Sequence, residues 1–386
     1  MASIRKRTWK SGGVTKTAWV VDHFDQRGDR HIKTFPTKKE AGTFRDEMAQ
    51  QVRRGTYTAD SASATVGEVA DEWLEHCRAE GLEESTIRQR GQHIELHIKP
   101  HLGKAKLTQL TAPGVNKFVT TLRDNGRSLA MRRKVLTSLK TLISHAQITG
   151  KVAQNVARGV KITTKEREIV PVMDEGDKMP TKYELRKMIE KVSGRWRPFI
   201  VTAIFTGMRA SELRGLPWNN VDLKEGVIRV RQRADAWRTI GAPKSKAGVR
   251  DIPLAPIVVN TLKEWKLECP KGELDLVFPN TVGNVEYHSN IWTRGFQPLQ
   301  IACGITEDGR RKDKEGNPIP KGKYGLHALR HAAASLFIEQ GWTPKRIQTV
   351  LGHASIQMTF DLYGHLFKDA DDDREEMKQV QARLLG

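Results

Sequence analysis

Cysteine and long apolar runs are both scarce in this sequence of 386 residues. Its three cysteines, Cys77, Cys269 and Cys303, lie far apart without paired spacing, which is typical of reduced thiols and excludes a disulfide framework. No apolar run approaches the ~18 residues that a membrane helix needs. The first 13 residues are basic but lack the apolar stretch of a secretory signal. We therefore expect a cytoplasmic protein that is neither secreted nor held in a membrane.

Acidic residues are also outnumbered, with 45 Asp and Glu against 65 Lys and Arg, which gives a net charge of +20. Residues 1–60 hold 13 basic side chains against 7 acidic, residues 61–165 hold 17 against 9, and residues 166–386 hold 35 against 29. The excess is densest in the first two segments and is not gathered in one tail. Because 38% of the residues are hydrophobic, these segments can fold, and the charge predicts a protein that surrounds a nucleic acid.

Capping boxes of the form Thr-x-x-Glu predict three helix starts, each at the beginning of a new segment. They are Thr37/Glu40, Thr65/Glu68 and Thr181/Glu184. Before the first box, residues 17–22 and 31–35 predict two short strands with Gly28 in the turn, and a helix is expected over 38–54. After the second box, apolar periodicity predicts an all-helical module broken by Pro100 and Pro113. Its expected helices begin at Thr65 and then cover about 84–99, 111–124 and 128–148.

The remainder of the chain mixes helices with a few strands. Expected helices lie near 185–192, 197–207, 255–267 and 327–340, expected strands at 226–231 and 249–254, and a loop rich in Gly and Pro at 304–323. The predicted fold is multidomain and mainly α with small β-sheets: an α+β unit, an all-α bundle and a mixed α/β domain. The predicted divisions are 1–60, 65–165, a linker at 166–180, and 181–386 with a C-terminal tail.

Four short boxes in the last segment carry residues suited to phosphate chemistry. They are Thr206-Gly-Met-Arg-Ala-Ser-Glu-Leu213, Pro243-Lys-Ser-Lys-Ala-Gly-Val-Arg250, His327-Ala-Leu-Arg-His331, and Leu351-Gly-His353 followed by Asp361-Leu-Tyr363. Each box alone is a weak signal, because a pattern such as His-x-x-Arg arises by chance in a chain of this length. As an ordered set they indicate one site.

In the order and spacing of these boxes the chain resembles the tyrosine recombinase (integrase) family over roughly residues 65–370. The resemblance implies a core-binding helical domain, a catalytic domain and, at residues 1–60, an arm-type DNA-binding domain. Beside the resemblance, we expect Glu212 to orient the site, and His331, one turn after His327, either to support Arg330 or to pack. The resemblance also implies a catalytic set with Tyr363 as nucleophile. The other members of that set are Arg209, Lys244, His327, Arg330 and His353.

The chemistry of this family asks for these residue types. A tyrosine attacks a backbone phosphate, and two arginines supply permanently charged, bidentate donors for the oxygens on which negative charge builds. A lysine can protonate the departing 5′ oxygen, and histidines can accept the tyrosine proton or bind the phosphate. The phosphotyrosine bond conserves the energy for rejoining, so neither a cofactor nor a metal is expected.

Several alternatives remain open at this stage. Lys244 and Lys246 compete as the catalytic lysine, and Lys244 is preferred for its distance from Pro253. Two pairs of histidines, at 327/331 and 93/97, are four residues apart and so resemble metal ligands. Neither pair has the Glu of the zinc-protease motif. We interpret His93 and His97, together with His101, as packing or phosphate-contact residues. The competing functions are a two-metal transposase, an inactive DNA-binding regulator derived from an integrase, and a type IB topoisomerase.

The expected partner is double-stranded DNA at core and arm attachment sites. In the helical module the candidate DNA contacts are basic residues at polar helix positions: Arg88, Arg90, Arg132, Arg133, Lys134 and Lys140. The resemblance further implies a homotetramer on DNA, in which a helix at about 375–385 docks on a neighbouring subunit. It implies a location at the nucleoid of a bacterial host. A DNA-bending protein and an excisionase are expected as additional partners.

Overall fold

The structure is a computed structural model that describes residues 2–12, 14–25, 28–53, 57, 63–162, 179–366 and 381–384. The chain divides into two compact units, residues 1–166 and 167–386. The expected linker lies outside the described residues except for 179 and 180. Most of the expected docking helix at 375–385 lies outside them too. None of the helices in the described ranges is long and apolar enough to cross a lipid bilayer.

The first unit begins with an antiparallel sheet in the order β1 (Ser3–Ser11), β2 (Val14–Phe24) and β3 (Arg30–Phe35). Helix α1 (Lys38–Arg53) packs on the sheet, so the two expected strands and the helix are present. Strand β1 was not anticipated, because its residues, SIRKRTWKS, are almost all exposed and show no apolar alternation.

The helical part of the first unit encloses its own core. Its helices are α2 (Val66–Ala79), α3 (Glu84–His93), α4 (Lys99–Leu102), α5 (Ala112–Asp124) and α6 (Leu129–Ile148). Thr65 caps α2 through the expected pair of bonds with Glu68. Trp73, Phe118 and Leu139 are among the buried side chains that hold the helices together.

Pro100 does not end the helix in which it stands, contrary to the sequence-based expectation. Helix α3 continues through a π-helical turn, Ile94–Ile98, into α4. A proline lacks the N–H group and its ring crowds the carbonyl four residues earlier, and the wider turn accommodates both. Ile94 and Ile98 are fully buried there, so packing favours the continuation.

The second unit surrounds an apolar central helix, α8 (Trp196–Thr206), against which α10 (Pro256–Glu268) and α13 (His327–Glu339) pack. The other helices are α7 (Lys182–Lys191), α9 (Ala210–Arg214), α11 (His288–Asn290), α12 (Gln297–Ala302), α14 (Pro344–Leu351) and α15 (Ile356–Tyr363). Thr181 caps α7 by the expected capping box.

Short antiparallel strands complete the second unit. Strands β4 (Val221–Asp222), β5 (Val227–Val230) and β8 (Arg250–Pro253) form a sheet in that order, and β6 (Arg233–Ala234) pairs with β7 (Ile240–Gly241). The expected strands at 226–231 and 249–254 are therefore present.

The expectation of a loop at 304–323 is wrong. Strands β9 (Thr306–Lys312) and β10 (Pro318–Gly322) pair as an exposed antiparallel hairpin, with a register shift between Pro318 and Pro320. The Asp313 carboxylate closes the turn by accepting the N–H groups of Glu315 and Asn317. Proline is tolerated in a two-stranded hairpin, because an edge strand leaves some N–H positions without a ladder partner.

Candidate active site

The first box turns the chain between α8 and α9. Gly207 ends α8 with a φ of 61°, and a Cβ there would stand 2.6 Å from Leu351 Cδ2, so the position needs glycine. Arg209 follows at the start of α9. Its backbone N–H donates to Glu212 Oε2 at 2.9 Å, and its Nη1 donates to Oε1 at 2.8 Å. Glu212 therefore holds Arg209 by both backbone and side chain.

A second glycine, Gly352, ends α14 in the same left-handed conformation, with a φ of 69°. A Cβ on Gly352 would lie 2.8 Å from the carbonyl oxygen of Ala247. The loop that contains the second box is thus packed against the end of α14. The last carbonyl groups of a helix have no partner within it, so the end of α14 offers acceptors to side chains from elsewhere.

Three arginines from separate parts of the chain donate to these carbonyl groups, one to each. The bonds are Arg250 Nε to Val350 O at 2.5 Å, Arg330 Nη2 to Leu351 O at 2.6 Å, and Arg209 Nη2 to Gly352 O at 3.1 Å. The negative end of the helix dipole favours cations at this place. The end of α14 therefore assembles the cationic part of the site.

Arg330 is the more deeply buried of the two expected catalytic arginines. Its side chain spans two loops, since Nη1 also donates to Gly207 O at 2.8 Å, and the residue is only 3% exposed. Burial, together with the positive charge of Arg209, lowers the pKa of the Arg330 guanidinium. A phosphate oxygen brought to this place would restore a counter-charge.

Glu212 and Arg250 form a fully buried ion pair, with both side chains 2% exposed. Arg250 Nη1 and Nη2 donate to the two carboxylate oxygens at 3.1 and 2.9 Å. Burial raises the pKa of Glu212, but the bonds from Arg250 outweigh it and the net pKa is lowered. Sequence reasoning missed Arg250 as a site residue. The available signal was its inward position in β8, where it alternates with exposed Asp251.

The two candidate lysines are both exposed. Lys244 and Lys246 stand in the loop between β7 and β8, on either side of Ser245. Both lysines therefore belong to the loop that contacts the end of α14 through Ala247. The geometry does not choose between them.

The expected histidines lie around the arginines. His327 is exposed at the start of α13, and its ring stands at 90° to that of His331, with centroids 4.9 Å apart. Partial burial of the ring, with the charges of neighbouring groups, lowers the pKa of His327 to about 4. His353 is 3% exposed, and its Nδ1 lies 2.9 Å from the hydroxyl of Thr359. Burial lowers the pKa of His353 to about 4 as well.

Tyr363 is the last residue of α15 and is only 3% exposed. Its hydroxyl lies 2.8 Å from His331 Nδ1, and its ring is nearly parallel to that of His353, at 12° with a centroid distance of 6.3 Å. Burial raises the pKa of Tyr363 to about 12, and the positive charge of Arg330 acts in the opposite direction. The structure thus brings Tyr363 together with Arg209, His327, Arg330 and His353 in one chain.

The basic residues expected to contact DNA fall into two groups. Arg88, Arg133 and Lys134 are exposed, although Arg88 is paired with Glu84 on its own helix. Arg90, Arg132 and Lys140 are half-buried. The Arg90 guanidinium lies over the ring of Trp73 and donates to Cys77 Sγ at 2.9 Å, so its contacts are with the core of its own unit.

The histidines of α3, of α4 and of the π-helical turn between them have packing contacts. His93 is buried and joins Ser138 Oγ at 2.8 Å, His97 is buried beside it, and exposed His101 lies against the ring of Phe118. In the ranges that the structure describes, no three His, Cys, Asp or Glu side chains are grouped as a metal site.

Comparison with known proteins agrees with this geometry. The model of the phage integrase family matches residues 164–369, and that of the phage integrase N-terminal SAM-like domain matches residues 65–123. The chain belongs to the phage integrase family. Its activity is site-specific recombination, in which DNA strands are cut and rejoined, and the resemblance expected over residues 65–370 is confirmed.

Relatives and solved structures extend along most of the chain. A tyrosine recombinase XerC-like protein of Caldanaerobacter subterraneus is 25% identical over 89% of this chain and 90% of its own length. The integrase of transposon Tn1549, solved with transposon right-end DNA, covers 82% of this chain and all of that one, at 20% identity and a TM-score of 0.64. A lambda integrase dimer on a core site covers 89% and 91%, at 20% identity and a TM-score of 0.57. The expected fold class, multidomain and mainly α with small sheets, is confirmed.

Proposed function

We propose that this chain integrates and excises a phage or integrative element by forming a 3′-phosphotyrosine at Tyr363. The observation that carries the assignment is the position of Tyr363 near the Arg330 guanidinium, which is anchored with that of Arg209 on the end of α14. These groups are held by protein carbonyls before DNA arrives. Little reorganisation is then needed when charge builds on the phosphate.

In this proposal Arg209 and Arg330 bind the non-bridging oxygens of the scissile phosphate. Glu212 holds Arg209 in place and Arg250 holds Glu212, so both are positioning residues. Tyr363 attacks phosphorus, the bond to the 5′ oxygen breaks, and Lys244 or Lys246 gives that oxygen a proton. His327 and His353 flank the phosphate, and their lowered pKa values keep them neutral at pH 7.

DNA binding would be shared along the chain. Residues 1–60 would bind arm-type DNA, 65–165 would grip the core site, and 181–386 would cleave, with 166–180 as the linker. Exposed Arg133 and Lys134 on α6 are suited to phosphate contacts, whose contribution falls with salt. Lambda integrase has been solved as a tetramer on a Holliday junction, and we propose a tetramer on DNA here. A bending protein and an excisionase would assist in the cytoplasm of a bacterial host, at the nucleoid.

The test is a covalent adduct on a denaturing gel. DNA from the ends of the element that carries this gene is nicked near the cleavage point, so that the short fragment escapes and the adduct persists. With EDTA present, the wild-type chain should form an adduct and the Tyr363→Phe chain should not. An adduct that survives in Tyr363→Phe would refute the nucleophile, and DNA binding without any adduct would favour an inactive regulator. Cleavage by a monomer at single sites would favour a topoisomerase.

A further inference from the structure

The Tyr363 hydroxyl has a direct partner, His331, that takes no part in the steps proposed above. Oη of Tyr363 lies 2.8 Å from Nδ1 of His331, across the contact between α13 and α15. Tyr363 is 3% exposed and packs with Ala334, Ile347 and Leu351, so water has little access to the phenol. A buried hydroxyl that must lose a proton needs an acceptor within hydrogen-bond reach.

The other two imidazoles of the site are less suited to that role. Nδ1 of His353 is bonded to Thr359 Oγ1, and its ring lies parallel to the tyrosine ring at a centroid distance of 6.3 Å. His327 stands one turn before His331, toward Arg209 and Arg330, and is exposed. Of the three imidazoles, His331 is the one whose ring nitrogen lies within hydrogen-bond distance of the Tyr363 hydroxyl.

We propose that His331 is a catalytic residue that holds the Tyr363 hydroxyl through Nδ1 and accepts its proton during attack. This inference rests on the proposed function. With the ring proton on Nε2, Nδ1 accepts the phenol O–H. As the bond from Oη to phosphorus forms, that proton moves to Nδ1. The bond from phosphorus to the 5′ oxygen breaks, and the lysine supplies the proton that the 5′ oxygen takes up, so charge and protons balance.

Other ionisable groups around this contact also bear on its pH dependence. They are His327 and Arg330 on α13, His353 before α15, Arg209 before α9, and Tyr363 itself. A pH profile of the wild type alone would mix all of these groups. The test therefore compares variants at position 331 that differ in basicity.

The experiment measures the single-turnover rate of adduct formation on the nicked DNA from pH 5 to 9. His331→Asn keeps a hydrogen-bond acceptor near Nδ1 but cannot take a proton, and His331→Gly leaves space for added imidazole. We expect His331→Asn to be slower by about 10²–10⁴-fold with unchanged DNA affinity. Imidazole should restore His331→Gly, with faster rates for more basic imidazoles. His331→Leu, whose side chain fills that space, should not respond.

The proposal would be overturned if His331→Asn formed the adduct at a rate within tenfold of the wild type, with the same decrease in rate at low pH. A His331→Gly chain that folds but ignores imidazole would also count against it. Tyr363→Phe tests the proposed function separately, because it abolishes the adduct whichever group accepts the proton.

A second measurement needs neither DNA nor activity. The ring-nitrogen NMR signals of His331 in the free protein, assigned through their disappearance in His331→Asn, report the bond to Nδ1. Tyr363→Phe should shift the Nδ1 signal and leave those of His93 unchanged. An Nδ1 signal that does not move would refute the contact.

Discussion

The cations of the two units are held in opposite ways. In the second unit, Arg209, Arg250 and Arg330 are each bonded to a carbonyl at the end of α14, and two of the three are buried. In the helical part of the first unit, Arg133 and Lys134 on α6 are exposed to solvent. Both sets are basic and both are suited to the same kind of ligand, a DNA phosphate.

The difference lies in what each cation can contribute. Burying a charge is costly unless partners compensate for the lost water, so a buried arginine stands in one geometry and binds one phosphate. An exposed lysine or arginine keeps its water and adds to a field that attracts DNA at any register. Substitutions in the first set should therefore slow the chemistry strongly, and substitutions in the second should weaken DNA binding gradually.

The largest effect is expected for Arg330→Lys. Lysine keeps the charge but cannot bond Gly207 O and Leu351 O while presenting a planar fork to the phosphate. We expect the cleavage rate to fall by about 10²–10³-fold with retained DNA affinity. Single-turnover adduct formation measures this rate, and Arg88→Lys, at an exposed position of α3, is the control. Equal decreases in the two variants would contradict the distinction between buried and exposed cations.

The next effect concerns the buried ion pair. Glu212→Gln leaves the Arg250 charge without its counter-charge, and we expect the free energy of unfolding to fall by about 3 kcal/mol. Glu84→Gln breaks the exposed pair with Arg88 on α3, and should cost less than about 0.5 kcal/mol. Urea unfolding at pH 7 measures both. A decrease below about 1 kcal/mol for Glu212→Gln would show that the buried pair is not needed for stability.

A smaller effect should appear when the pH is lowered. The folded pKa of His353 is about 4 against an ordinary value of 6.5, so below pH 6.5 the unfolded chain binds a proton that the folded chain resists. Stability that is present above pH 6.5 is thus lost as the pH falls toward 4. From pH 7 to pH 5 the wild type should lose about 1–2 kcal/mol more than His353→Gln does. Parallel urea titrations test this, and equal decreases would contradict it.

The smallest effect is expected on the exposed surface of α6. Replacing Arg133 and Lys134 together by Gln should weaken DNA binding by about tenfold at low salt and leave the cleavage rate of bound DNA unchanged. The slope of log affinity against log salt should fall by about 1–2, roughly one unit for each phosphate that the variant no longer neutralises. Fluorescence anisotropy on a labelled core site measures this slope. As a control, Arg78→Gln removes a cation that is already paired with Glu75. If the slope of log affinity against log salt is unchanged in the Arg133 and Lys134 double variant as well as in Arg78→Gln, α6 does not contact the DNA.

Local signals predicted much of this molecule. The capping boxes of Thr65 and Thr181 stand where α2 and α7 begin, because the bonds of a cap join residues three positions apart. The ordered boxes identified the family, since Arg209, Arg330 and Tyr363 are required by the chemistry whatever surrounds them. Strand β1 and the hairpin β9–β10 escaped prediction, because exposed strands pair through backbone bonds and need no apolar pattern.

By itself, the sequence determined the composition of the site: two glycines that can end helices with a positive φ, and the arginines, histidines and tyrosine that follow them. Only the tertiary structure decided which groups meet. Arg209 reaches Gly352 across 143 positions of the chain, and Arg330 reaches Gly207 across 123. The tertiary structure also brought Arg250 to Glu212 and His331 to Tyr363. Bonds between such distant residues depend on how whole helices pack, and no local pattern of residues records that packing.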